Sequence, residues 1–139
     1  MPLLRVNPQL TLKEKHMPLT RLKDPTLLRQ QAYFAGRWQH ALNGETLPVI
    51  NPSTRETLAT IPALGAAETE QAIAFAEAAR KSWAKTPNAE CALLLEKWHQ
   101  LILHNADDLA AIMTPEQGKP PPEAKGAVLY GAACVTWFA

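Results

Sequence analysis

Two cysteines and four histidines, with a scatter of carboxylates and amines, are the groups in this sequence whose types could do chemistry. Cys91 opens a segment of helical spacing, where free N–H groups and the helix macrodipole lower a thiol's pKa, so a nucleophile is conceivable there. No histidine or aspartate stands at a spacing that would activate it, and a cysteine in an apolar helix is more often a small core residue. Cys134, inside the apolar stretch 128–138, reads as core more plainly still. The pair forms no CxxC and no Cys/His cluster, which fits a reduced chain rather than a zinc site or a disulfide framework. His99 and His104 stand five residues apart, whereas two zinc ligands on one helical face stand four apart. Glu96, Lys97, Glu116, Lys119, Glu123 and Lys125 read as a solvated helix surface. No GxGxxG, GxxxxGKS/T or GxSxG occurs, so phosphate-loop and acyl-transfer motifs are absent. No residue is therefore assigned a catalytic, cofactor-binding or metal-binding role from spacing.

The elements that would position such groups begin after a distinct opening stretch. Residues 1–31 carry six basic and two acidic side chains, and Pro2, Pro8, Pro18 and Pro25 interrupt any long amphipathic helix. The stretch lacks serine and an apolar h-region, so a loose basic tail is expected rather than a transit or signal peptide. Met17-Pro18-Leu19 repeats Met1-Pro2-Leu3, and Met17 would serve equally well as the start of translation. From residue 32 to 139 the sequence reads as one incomplete domain. Tyr33–Trp38 followed by Asn43-Gly44 and Thr46–Ile50 predicts a β-hairpin turning at the Asn-Gly pair. Asn51–Thr54 predicts a turn, and Thr57–Ile61 a third short strand.

After Gly65 the apolar period changes from two to about 3.6. Ala72, Ala76, Ala79 and Trp83 mark a helix over roughly 67–84. Asn88 offers a cap for a second helix, with a buried stripe of Leu94, Leu95, Trp98, Leu101 and Ile102. Asn105 with Asp108 offers a capping box for a third, with Leu109, Ile112 and Met113 inside and Gly118 at its end. A fourth runs from about Pro122 through Val128, Leu129, Ala132, Val135 and Phe138. The expected class is α+β: short strands, then about four helices.

Composition agrees with a soluble, cytoplasmic globular chain. It has 139 residues, 47% hydrophobic and 19% charged, with a formal charge of +1. No apolar run approaches the ~20 residues that span a bilayer, and a near-neutral surface gives nucleic acid little to bind.

Glu116-Gln117-Gly118-Lys119-Pro120, Glu123-Ala124-Lys125-Gly126, Tyr130-Gly131-Ala132 and the closing Trp137-Phe138-Ala139 resemble a run found early in aldehyde dehydrogenases, most like the succinate-semialdehyde branch. Phe34–Trp38 is similar to that family's opening hairpin strand, and Val49–Thr54 to the Asn-Pro turn after its second strand. The resemblance covers about Leu27 to Ala139. It implies the first part of an α/β, Rossmann-like cofactor domain, and for the complete enzyme an NAD- or NADP-dependent oxidation of succinate semialdehyde to succinate in 4-aminobutyrate breakdown. The family's nucleophilic cysteine, its glutamate and its ribose-holding strand have no counterpart here, and neither Cys91 nor Cys134 matches the nucleophile. The resemblance thus implies a piece that is inactive alone and does not bind the dinucleotide by itself, the small aldehyde being the substrate of the full-length family. It further implies a weak monovalent-cation site at the carbonyls of Val49 and Ile50 with Glu116. Departures are Ala67 for an N-capping Asp, Ala127 and Thr136 for acids, Cys134 for an aromatic, and Pro121-Pro122 for Leu-Ala. The chain's close, without a C-cap glycine, reads as cut. Unmatched helix faces would lead to self-association or, as an alternative reading, to a non-enzymatic module that binds a full-length subunit.

Overall fold

The computed structural model describes residues 22–139. Two antiparallel hairpins precede four helices. β1 (Ala32–Phe34) pairs with β2 (Arg37–Gln39), and β3 (Thr46–Ile50) with β4 (Thr57–Pro62), as two separate two-stranded sheets. The first turn is Ala35-Gly36, at φ 53° and 75°, the doubly left-handed turn that matches strand twist. The expected hairpin across Asn43-Gly44 is therefore corrected. Asn43 Oδ1 accepts the Glu45 N–H at 2.9 Å and shapes a connecting bend, while Trp38 lies opposite Tyr33. Thr57–Ile61 is then not an added third strand but the return arm of β3, reached through a turn that Asn51 organises. Asn51 is buried, and its Oδ1 accepts the N–H groups of Ser53 and Thr54.

The helices are α1 (Ala66–Trp83), α2 (Asn88–His104), α3 (Ala106–Gln117) and α4 (Pro121–Trp137). Two starts differ from expectation. The cap of α1 is Gly65, so Ala67 lies inside the helix. Glu68 performs the capping, its carboxylate accepting Gly65 N–H at 3.0 Å and Leu42 N–H at 2.9 Å. For α2, Pro87 occupies the cap and Asn88 the first helical position.

The Asn105–Asp108 capping box does not form. Asn105 Nδ2 donates back to the Leu101 carbonyl at 2.9 Å, and the buried Asp108 carboxylate turns to the opening segment, accepting Lys23 N–H at 3.1 Å and Asp24 N–H at 2.8 Å. Leu22 is buried beside this clamp. Gln30 Oε1 accepts Thr60 N–H at 3.0 Å, and the Arg29 guanidinium lies 5.1 Å from the Trp38 ring. Residues 22–31 are thus fastened rather than loose. The rest of the expected tail, with Met17, lies outside the described residues.

The core is small and built of alanine. Ala106 and Ala110 of α3 meet Ala124 and Val128 of α4, with Ile102, Leu109 and Met113 packed against them. Alanines let the helix backbones approach closely, and Ala124 and Ala132 have no exposed surface at all. Other expected inner faces are wet. On α2, Trp98 is 56% and Leu101 60% exposed, and only Leu95 and Ile102 of the stripe are half-buried. On α1, every residue but Glu68 and Ala72 is exposed. The periodicity marks faces that require cover, and nothing among the described residues covers them.

Candidate functional site

A groove runs between α2, α3 and α4, with Trp98, Ile102, Leu109, Met113 and Val128 along its walls and Glu116 at its edge. Two polar contacts set its width. The His99 Nδ1–H donates to the Ala132 carbonyl at 2.9 Å, and the Thr136 hydroxyl donates to Glu96 Oε2 at 3.2 Å, pinning α2 to α4 near the far end. Burial raises the Glu116 carboxyl above its ordinary value. It has no ion-pair partner among the described residues. Elsewhere carboxylates are held low. Hydrogen bonds from Leu42 N–H, its own backbone N–H and Gly65 N–H lower Glu68, and the Lys125 ammonium at 2.7 Å, with Lys23 behind it, lowers Asp107.

These opposed shifts fix the sign of the pH response. Glu68 and Asp107 are depressed on folding, so their stabilisation is complete above the ordinary values of 4.5 and 3.8 and is lost as pH falls through the lower folded values. Glu116 is raised, so its ionised form opposes folding; that penalty vanishes below 4.5 and is complete above its folded value. The denaturation midpoint of the chain is expected to hold from pH 7 to about 5 and drop steeply under 4.5. Glu68→Gln should lower the neutral midpoint and flatten the acid limb, whereas Glu116→Gln should raise the neutral midpoint and lose that advantage in acid. A common pH profile for all three chains would contradict the assignment.

The residues singled out by type are not brought together. Cys91 is half-buried in the first turn of α2, its N–H bonded to the Pro87 carbonyl at 3.1 Å; Cys134 is exposed on α4; both thiols are free. His99 spends its Nδ1 on the Ala132 carbonyl while His104 is exposed at the end of α2, and no three His, Cys, Asp or Glu side chains among the described residues gather as metal ligands would. Val49 and Ile50 of β3 lie opposite a bulge in β4, where Leu58 is the extra residue, and the turn that follows β3 reaches the end of α3, where Pro52 abuts Gly118. The strand end and the Glu116 end of α3 are neighbours by that contact. Sequence spacing missed the Asp108 clamp and the double acceptor Glu68, because both serve backbone N–H groups that are remote in sequence.

The residues present do not fit a dinucleotide. Such ligands sit at the carboxyl ends of parallel strands, with the phosphates at a glycine-rich turn. Both sheets here are antiparallel hairpins, and the described residues provide no parallel pair. Among the described residues no nucleophile is paired with a base either. What the groove can do is pack: it is a mostly apolar seat with two carboxyls, Asp24 and Glu116, in its lining. No helix among the described residues is long and apolar enough to cross a membrane.

Comparison with known proteins gives this seat a context. The sequence profile of the aldehyde dehydrogenase family matches residues 38–139. Glutarate-semialdehyde dehydrogenase of Pseudomonas putida is 48% identical over 118 residues, covering 85% of this chain and 25% of that protein. The NADP-dependent succinate-semialdehyde dehydrogenase GabD of Escherichia coli is 44% identical over 119 residues, covering 86% of this chain and 25% of its own length. The crystal structure of succinate-semialdehyde dehydrogenase from Burkholderia pseudomallei superposes with a TM-score of 0.82 at 48% identity, over 84% of this chain and 24% of that one. The chain spans about a quarter of the length of the relatives it matches.

Proposed function

Because this chain belongs to the aldehyde dehydrogenase family, we propose that it is the N-terminal part of the cofactor domain of a semialdehyde dehydrogenase. The complete enzyme oxidises succinate semialdehyde to succinate, with NAD or NADP as the co-substrate that would accept the hydride. The observation that carries this reading is the 48% identity to a semialdehyde dehydrogenase over 85% of the chain. Within that enzyme these residues form a supporting layer. The α3–α4 alanine contacts and the His99 pin hold three helices at a fixed spacing, the Asp108 clamp ties the opening segment to α3, and the wet faces of α2 and α4 receive the rest of the domain.

The chain by itself performs no chemistry in this reading, since its described residues pair no nucleophile with a base and the two hairpin sheets offer no dinucleotide seat. Joined at residue 139 to the complementary three quarters of the Pseudomonas putida relative, it should restore nicotinamide reduction with a semialdehyde substrate, followed by absorbance. The chain alone should give no signal above buffer. An inactive chimera beside an active parent, or turnover by the chain alone, would overturn the reading.

The exposed α2 and α4 faces also favour a second reading, a non-enzymatic module that binds a full-length subunit. Capture of intact dehydrogenase by the chain, together with failure of the chimera, would put that reading first.

A further inference from the structure

A second cavity lies on the other side of α3, away from the α2 groove. It is a slot of about 510 Å³ between α3 and the first turn of α4, lined by Ala110, Ala111, Pro115, Pro121 and Pro122, with Lys23 and Lys125 on its rim. Ala110, Ala111, Thr114 and Pro115 on its α3 wall are buried, so the slot is a recess rather than a flat patch. Its volume falls in the ~300–1,000 Å³ range of small-molecule pockets, and its walls offer a water few partners.

The polar groups around the slot already have partners. The Thr114 hydroxyl donates to the Ala110 carbonyl at 2.8 Å, and the Asp108 carboxylate accepts the N–H groups of Lys23 and Asp24. Asp107 pairs with Lys125 at 2.7 Å and with Lys23 at 3.6 Å. Two ammoniums and two carboxylates leave the rim without net charge, so a charged ligand would meet like charge as closely as opposite charge and would give up its hydration uncompensated. An ammonium carries three donors, however, and Asp107 occupies one on each lysine, so the mouth can still donate to an uncharged oxygen. Length follows from the helix: Asp107 at the rim and Pro115 at the far wall stand eight residues apart on α3, about 12 Å at 1.5 Å per residue, which an extended octanol spans.

We propose that the slot between α3 and α4 is a binding site for an uncharged, unbranched aliphatic molecule of about this length that ends in one oxygen. Its chain lies along Ala110, Ala111 and the three prolines, and its oxygen accepts from Lys23 or Lys125 at the mouth. The site is separate from the α2 groove, and it does not depend on the proposed enzymatic role.

Titration of the unmodified 139-residue chain with unbranched primary alcohols tests it. Read from the methyl resonances of Ala111 and Thr114, the dissociation constants of butanol, hexanol and octanol should tighten about fourfold for each added methylene, and decanol should gain nothing over octanol. Octanoate and octylammonium should bind at least about tenfold more weakly than octanol. The wet helix faces also take up alcohol, so the place of binding is read separately. A photoreactive diazirine analogue of octanol should insert at Ala110-Ala111, Thr114-Pro115 or Pro121-Pro122. Ala111→Trp, which fills the slot from its wall, should remove that label, and Trp98→Glu with Leu101→Glu should leave it. Should Ala111→Trp fail to fold, excess octanol should displace the label from the unmodified chain and equal octanoate should not. Labelling confined to α2, affinity that keeps rising from octanol to decanol, or a charged analogue that binds as tightly as octanol would overturn the proposal.

Discussion

Replacing Gly118 by alanine is expected to destabilise the α3–α4 junction by about 2–4 kcal/mol. Gly118 caps α3 at φ 67°, ψ 20°, a left-handed conformation that costs a residue with a Cβ about 1–2 kcal/mol. A Cβ built there would stand 2.8 Å from Pro52 Cγ, and a pyrrolidine ring between the buried Asn51 and its turn has little room to retreat. The clash adds a similar amount, as overpacking usually does. The loss should appear as a fall of roughly 30- to 700-fold in amide protection in the last turn of α3 and in the Asn51–Glu56 turn, at 1.4 kcal/mol per tenfold. Gly126→Ala is the control with the opposite sign. Nothing lies within 4 Å of its added Cβ in the middle of α4, so it should stabilise by about 0.5–1 kcal/mol. Equal effects of the two substitutions would show that the Pro52 contact does not form.

The second large effect is association. The 139-residue chain alone should form assemblies that grow with concentration, bind hydrophobic dyes and unfold over a broad temperature range. Ile73, Phe75 and Trp83 on α1, Trp98 and Leu101 on α2, and Trp137 at the end of α4 are each at least half exposed. Burying one such side chain is worth about 1.5–3 kcal/mol, so these six forgo on the order of 10 kcal/mol, comparable with the whole 5–15 kcal/mol margin of a domain. Trp98→Glu with Leu101→Glu should shift the assemblies towards monomer in light scattering. A monodisperse monomer that unfolds in one calorimetric transition would contradict the prediction.

Those wet faces show how far sequence carries. The 3.6-residue period places α1 within a residue of its observed ends and finds α2, α3 and α4, because periodicity and proline punctuation are local properties. It also names the faces of α1 and α2 that require burial, but a period carries no information on whether a partner is present. The hairpin error has a different cause. Asn-Gly is a turn signal, yet the left-handed pair that closes β1 on β2 is Ala35-Gly36, and alanine gives no hint of positive φ. The α3 cap was misread because Asp108 looks like a member of a local capping box, and Glu68 was missed because the resemblance drew attention to Ala67 as the cap position. Glu68 does cap α1 but also reaches Leu42, and Asp108 abandons its own helix for Lys23 and Asp24. The family resemblance was legible from Glu116–Lys119 and the Asn51-Pro52 turn, and these two runs meet in the fold at the Gly118–Pro52 contact.

The Asp108 clamp also sets an order of assembly. It joins residues 84 and 85 positions apart, whereas the His99–Ala132 pin closes a separation of 33. By loop-closure entropy the longer loop costs only about 0.8 kcal/mol more, too little to rank the two events. Synthesis ranks them instead. Lys23 and Asp24 leave the ribosome long before the carboxylate that binds them exists, so the opening segment waits through the making of both hairpins, α1 and α2. Its amides stay bonded to water during that interval, and the clamp closes only when the first turn of α3 emerges.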